Sequence, residues 1–328
     1  MNNIHSNLDL FVSNSEIIRK EFRWRDAAAR RLAALIHTLE GSTVDEDAIS
    51  TSLDVIKKQT GIFSMFRGNM NFVIATKLSL TRNHEAIFAD ILELATKLKN
   101  AKFRSSDYLA VGAYLIASNT TNSNYDHTIA RAKTFYDGMR KNSWFRTGED
   151  DYIFSIMLAL SDIEPTVGVA RIQELYEKLK SEFKWAGANS IQALCQMLTL
   201  GGKTDEALDH LLCVRNTLRS ARIKLDRTYT LPSLGALSLL QVDGEVLANQ
   251  LLEAQRYLRK QKGFGSFHIT TQELLLFSSA IITSTYTDQM QDGVVAATST
   301  SIINMIIAQQ IAVMIAATSA ATAAAASG

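Results

Sequence analysis

An all-α fold is predicted, with about seven stacked helical hairpins of ~40 residues. They form an α-solenoid or a closed α/α toroid, followed by an apolar C-terminal helix. Three observations carry this expectation. Proline stands only at positions 165 and 232, while Leu, Ala, Ile, Lys and Glu abound, a composition that favours helix. A phrase recurs along the chain: a helix ending in a basic cluster, an aromatic or apolar pivot, a short polar turn, then a second, more apolar helix. Its pivots fall 38 to 42 residues apart. A hairpin of that size cannot bury its apolar face alone, so neighbours must stack.

The first unit reads SEIIRKEF (15–22), with pivot Phe22, then AAARRLAALIHTL (27–39). Ser13 with Glu16 has capping-box spacing and predicts the start of its first helix there; Gly41 stands where its second helix should stop. The next two units run DVIKKQTGIF (54–63) to NFVIATKLSL (71–80), and LATKLKNAKF (94–103) to YLAVGAYLIAS (108–118), with pivots Phe63 and Phe103. The fourth runs YDGMRKNSWF (136–145) to YIFSIMLALSD (152–162), pivot Phe145, and Thr147 with Asp150 predicts the cap between them. In the fifth, LYEKLKSEF (175–183) turns at Phe183 into SIQALCQMLTL (190–200), stopped by Gly201–Gly202. In the sixth, VRNTLRSARI (214–223) turns at Ile223 into LPSLGALSLL (231–240), where Pro232 suits a helix start. The last, EAQRYLRKQKGF (253–264), turns at Phe264 into ELLLFSSAIITS (273–284), with a capping box at Thr270 and Glu273.

The second helices are the more apolar and are expected inside, the charged first helices keeping one face in water. Residues 1–290 carry no linker rich in Gly, Pro or Ser, so they are read as a single helical-repeat domain. Residues 291–328 are read as an uncharged, Ala-rich C-terminal helix with an end expected to fray. No charge follows Asp292. IINMIIAQQIAVMIAA (302–317) falls about one period beyond Phe264 and is expected to pack on the body or on a partner. Residues 294–317 are also the segment through which a membrane surface would be met. Gln309 and Gln310 at the centre, with no flanking Lys or Arg, argue against a spanning helix.

The charge balance is even, 34 basic against 33 acidic residues, which excludes nucleic acid as an expected partner. Cys195 and Cys213 have no metal-ligand spacing and read as reduced packing residues. The N-terminal MNNIHSNLDLFVSNSEIIRKEF lacks the pattern of a secretory signal, so a cytoplasmic location is expected, with membrane association as the alternative. The six His form no metal motif, and no phosphate loop or hydrolase nucleophile motif occurs. No metal, cofactor or catalytic residue is therefore expected. His37 reads as a satisfied core residue, and the glycines of KGFGS (262–266) as turn residues.

Three constellations stand out against that background. Arg67 and Asn69, in FRGNMN (66–71), suit a bidentate clamp on a carboxylate or phosphate; Arg67 equally suits the free carbonyls of a helix end. Glu149, Asp150 and Asp151 form the one dense acidic triplet, suited to a helix N-terminus or a divalent cation. Lys58, Lys99, Lys141, Lys180, Arg219 and Lys260 recur once per unit as a basic ladder, suited to helix dipoles, an acidic partner or a membrane surface. The leading expectation is a non-enzymatic scaffold binding a protein or peptide on its concave face. The alternatives are an enzyme or small-ligand binder in a closed toroid, and a peripheral membrane protein attached by its tail; self-association is compatible with each.

LFVSNSEIIRKEFRW (10–24), TGIFSMFRGN (60–69), YTLPSLGALSLL (229–240), LRKQKGFG (258–265) and IIAQQIAVMIAA (306–317) together resemble DUF4003, a mainly Firmicute family of unknown function. The resemblance covers nearly the whole chain, tail included. It implies a bacterial protein with no assigned activity and no catalytic residues to carry over.

Overall fold

The fold was obtained as a computed structural model that describes residues 2–68, 70–141, 147–202, 205–240, 242–290, 307–308, 311–313 and 315. Among the described residues every regular element is helical. The α-helices are α1 (Asn2–Glu21), α2 (Ala27–Leu39), α3 (Glu46–Gln59), α4 (Asn71–Ser79), α5 (His84–Asn100), α6 (Asp107–Asn119) and α7 (Tyr125–Lys141). They continue with α8 (Asp151–Leu160), α9 (Pro165–Leu179), α10 (Ala188–Leu200), α11 (Asp205–Ser220), α12 (Leu231–Ser238), α13 (Gly244–Arg259) and α14 (Thr271–Met290).

The chain packs as two compact units. One comprises Met1–Glu16, Thr38–Thr43 and Ala170–Ile307; the other comprises Ile17–His37, Val44–Val169 and Ala308–Gly328. Within the second, α3 pairs with α4, α5 with α6 and α7 with α8, while α3, α5 and α7 lie side by side and α6 meets α8. Within the first, α10, α12 and α14 form one row, and α11 and α13 pack beside it. The odd-numbered helices are amphipathic: α5 buries Phe88, Ile91, Leu94, Ala95 and Leu98 at helical spacing and leaves the rest outward. Even-numbered helices are buried all round over long stretches, as residues 72–78 of α4, 109–116 of α6 and 231–238 of α12 are. A helix apolar on every side has no face to offer water, so it becomes the inner layer.

Small residues let these inner helices close up. A Cβ on Gly112 of α6 would stand 2.4 Å from Ile156 Cδ1 of α8, and one on Gly235 of α12 would stand 2.7 Å from Leu194 Cδ1 of α10. Polar side chains then hold the helix ends. Arg131 of α7 donates to the carbonyls of Ala159, Ser161 and Ile163 (3.1, 2.9 and 2.8 Å). Arg171 of α9 donates to Gly202 (2.7 Å), and His210 of α11 has its ring nitrogens 2.7 and 3.0 Å from the carbonyls of Ser238 and Val242. In each case a side chain of a first helix reaches carbonyls at or just past the end of a second one.

Several pivots have a clear backbone reason. Lys102 and Arg222 adopt positive φ (71° and 62°). The following amides then reach back, Phe103 N to Leu98 O (3.1 Å) and Ile223 N to Leu218 O (2.8 Å). That is the Schellman arrangement, in which the residue after the left-handed one packs onto the last helical turn. Phe103 and Ile223 are buried accordingly, as are Phe183 and Phe264. Phe63 departs from the expectation: it is 96 % exposed. A 3-10 turn over Met65–Arg67, capped by Ser64, turns Phe66 inward instead, edge-on to Phe88 with ring centroids 5.4 Å apart. Phe145 lies outside the described residues.

The caps divide in the same way. Thr270 and Glu273 exchange hydrogen bonds as a capping box, Thr270 N to Glu273 Oε2 (2.9 Å) and Glu273 N to Thr270 Oγ1 (3.1 Å). At the start of α8 the bond runs one residue later, from Gly148 N to Asp151 Oδ2 (3.0 Å), and Asp150 makes no side-chain cap. Ser13 and Glu16 do not start a helix, because α1 begins at Asn2 and runs through them. The burial of Leu8 and Phe11 on its first half overrides the local cap signal. Cys213 also differs from expectation. Cys195 is buried, but Cys213 is exposed, since Leu211, Val214 and Leu218 take the apolar face of α11.

Of the tail, Ile307, Ala308, Ile311 and Ile315 are helical and buried, at spacings that share one helical face, and Ala312 and Val313 are half-buried. The rest of 291–328 lies outside the described residues. Among the described residues no helix is long and apolar enough to cross a membrane.

Candidate functional site

The turns joining each first helix to its second carry most of the singled-out residues, and their local chemistry differs from one to the next. Arg67 sits at the end of the 3-10 turn before α4. Its guanidinium donates from Nε to Thr60 Oγ1 (3.1 Å) and from Nη2 to the carbonyls of Lys57 (2.5 Å) and Thr60 (2.6 Å). Those are free carbonyls at the C-terminus of α3, so Arg67 closes that helix end. Asn69 lies outside the described residues.

Glu149, Asp150 and Asp151 stand at the start of α8, where negative charge suits the macrodipole. Asp151 is buried and caps Gly148. Near them, at the start of α6, burial raises the carboxyl of Asp107 above its ordinary range. Burial first, then the charges of Asp150, Asp107, Glu149 and Asp151, pushes the Tyr108 phenol strongly upward. The triplet thus gathers round a neutral phenol while Arg67 serves α3, and the two have different partners. Among the described residues no group of three or more His, Cys, Asp or Glu is placed to hold a metal ion.

The basic ladder maps onto helix C-termini. Lys58, Lys99 and Lys141 are exposed in the last turns of α3, α5 and α7 in one unit. In the other, Lys180 follows α9 and pairs with Glu177 (2.5 Å), Arg219 ends α11 and pairs with Asp226, and Lys260 follows α13. Each position suits the helix dipole. His37 is 2 % exposed, 3.4 Å from Ser79 Oγ, in keeping with a core role.

Sequence reasoning missed a set of aromatic side chains. Among the described residues the exposed aromatics are Trp24 (85 %), Phe63 (96 %), Trp185 (82 %) and Phe267 (103 %), and all four lie in first-to-second turns, with Ile62 beside Phe63. Cations accompany them. The Arg23 guanidinium lies 4.6 Å from the Trp24 ring centroid, and Lys184 Nζ lies 5.5 Å from that of Trp185. In one unit, Arg25, Asp54, Lys57 and Arg67 line a groove of about 370 Å³ between the α1–α2 and α3–α4 turns. In the other, Trp185 shares a groove of about 260 Å³ with Arg219, Lys224, Asp226 and Arg227 of the α11–α12 turn.

The carboxylates in these turns are already committed. Asp26 accepts from the Ala28 and Ala29 amides at the start of α2 (2.8 and 3.1 Å), Glu182 pairs with Arg215 (2.7 Å), and Asp226 pairs with Arg219. Among the described residues Lys184, Lys224 and Arg227 have no carboxylate partner. The signal was present in the chain as RWR (23–25) and KW (184–185), aromatic residues flanked by cations just past a helix end. Three of the turns at the other helix ends are acidic, with Asp45, Glu46 and Asp47, with Asp162 and Glu164, and with Asp243 and Glu245.

A family model described as "Protein of unknown function (DUF4003)" matches residues 14–312. No curated protein and no solved structure matches the chain.

Proposed function

Since the chain belongs to the DUF4003 family, whose description names no activity, we propose from geometry alone that it is a non-enzymatic scaffold of stacked helical hairpins. It docks on a macromolecular partner through its basic first-to-second turns. One observation carries this reading: the exposed aromatics of the described residues are confined to those turns, and both exposed tryptophans stand beside cations. A folded chain leaves single apolar side chains exposed at random; it does not sort its aromatics to one end of its hairpins without cause. The commitment of Arg67 to helix carbonyls supports it too, since that leaves the toroidal-enzyme alternative without its cation.

The test places a photoreactive phenylalanine analogue at position 63, 267 or 246 of the full chain in intact bacterial cells. Val246 is an exposed control near the start of α13, at the opposite helix end. Adducts to lipid or protein are expected from 63 and 267 and not from 246. Equal labelling at all three positions, or none at any, defeats the reading.

A further inference from the structure

The turns can be asked what surface their chemistry fits. Phe63 and Phe267 project almost wholly into water, and Trp24 and Trp185 nearly so. A protein partner would need a matching pocket for each such anchor. A bilayer needs none, because its interface accepts an aromatic ring at any lateral position.

The charges around the anchors point the same way. Arg23 and Arg25 flank Trp24, with Lys57 on the adjoining groove. Lys184 precedes Trp185, and Lys224 and Arg227 face the same groove. Lys262 is exposed near Phe267. Asp26, Glu182 and Asp226, the acids of these turns, are consumed by a helix N-terminus or by arginines. Each unit therefore presents, by itself, a protruding Trp and a protruding Phe on turns where cations outnumber carboxylates, Asp54 being the acid on the groove of Arg25 and Lys57. Rings at headgroup depth with Lys and Arg beside them are what an anionic lipid surface selects.

Resting on the docking reading above, we infer that each unit, by its own basic turns, meets an anionic lipid bilayer: one through Trp24, Ile62 and Phe63, the other through Trp185 and Phe267. The aromatics enter the interface and the cations meet lipid phosphates. Attachment of this kind is reversible and salt-sensitive, because part of it is a screened charge attraction.

The chain has three tryptophans, so single-tryptophan forms report on each unit. The doubles Trp144→Phe/Trp185→Phe and Trp24→Phe/Trp144→Phe leave Trp24 and Trp185 respectively. Each full-length double is mixed with phosphatidylcholine vesicles, with and without phosphatidylglycerol, and read by co-sedimentation and emission wavelength. Binding to the phosphatidylglycerol vesicles alone, a blue shift of at least one reporter and release by salt are expected. Phe63→Ser with Ile62→Ser should weaken partition on the order of tenfold or more. Both positions are exposed, and an unchanged thermal melt shows that the fold is intact. No binding to phosphatidylglycerol vesicles overturns the inference, as does binding without a blue shift. If vesicles fail while position 63 still crosslinks a protein in cells, the bilayer assignment falls and the docking reading stands. If vesicles fail and no position crosslinks anything, both fall.

Discussion

Phe11, in the first helix, meets Phe264, in the last first-to-second turn, edge to face with ring centroids 5.4 Å apart. Phe277 of α14 lies 5.5 Å from the same Phe11 ring, and both Phe11 and Phe264 are essentially fully buried. The first half of α1 is thus part of the core of the unit that holds α13 and α14. Asn7 adds a hydrogen bond to Thr285 (2.9 Å). Phe11→Ala should cost about 3–5 kcal/mol, and Ser13→Ala almost nothing, since Ser13 caps no helix here. Urea unfolding followed by circular dichroism reads both.

Tyr257 of α13 donates to Asp9 of α1. That bond, then burial and the charge of Asp9, raise the phenol from 10.0 to about 12. The folded value is above the unfolded one, so the stability this contact contributes is complete below about pH 10 and is lost as pH rises through about 12. Stability measured from pH 8 upward should fall more steeply in the native chain than in Tyr257→Phe. Parallel curves for the two would refute the assignment.

Arg67 ties the end of α3 to the turn that follows. Arg67→Met keeps much of the aliphatic stem and removes the donors, and should cost about 1.5–3 kcal/mol. Arg67→Lys should recover little, because one ammonium cannot span two carbonyls and a hydroxyl as a planar fork does. Differential scanning calorimetry of the three forms separates these outcomes.

A Cβ on Gly168, in the first turn of α9, would stand 2.7 Å from Phe135 Cε1 and 3.0 Å from Ile163 Cγ2. The Phe135 ring is fully buried and has little room to yield. Gly168→Ala should therefore destabilise by about 1–3 kcal/mol despite alanine's better helix propensity. Adding Phe135→Leu should return part of the loss, a coupling that a double-mutant cycle measures.

Lys102 and Arg222 hold left-handed backbone conformations that glycine adopts without cost. Lys102→Gly and Arg222→Gly should each stabilise by about 0.5–1 kcal/mol. A lower melting temperature in either variant would mean that the side chain does more than turn the chain.

Much of the helical organisation was legible in the sequence. Phe103, Phe183, Ile223 and Phe264 could be found because a buried residue three to five positions past a helix end recurs at a nearly fixed spacing. The Thr270–Glu273 cap and Pro232 at the start of α12 were readable because both are local, set by a few residues of backbone. Burial of the second helices followed from their lack of any polar face. The readings that failed were those in which distant contacts outweigh local signals. Ser13 and Glu16 spell a cap, yet the contacts of Leu8 and Phe11 carry the helix through them. Phe63 has the right spacing, yet a 3-10 turn buries Phe66 instead. Cys213 sits in an apolar-looking phrase, yet falls on the wet face of α11.

The candidate surface divides along the same line. The sequence by itself determined that cations cluster at the ends of first helices, because residue type and helix register suffice for that. Only the tertiary structure decided which charges are already spent. Asp26, Glu182 and Asp226 are spent on a helix start and on arginines, and Arg67 is spent on carbonyls. Only it decided, too, that Trp24, Phe63, Trp185 and Phe267 stay in water while Phe11, Phe66 and Phe264 are buried. Exposure is a property of everything that packs around a residue, and a one-dimensional pattern of residue types does not contain it.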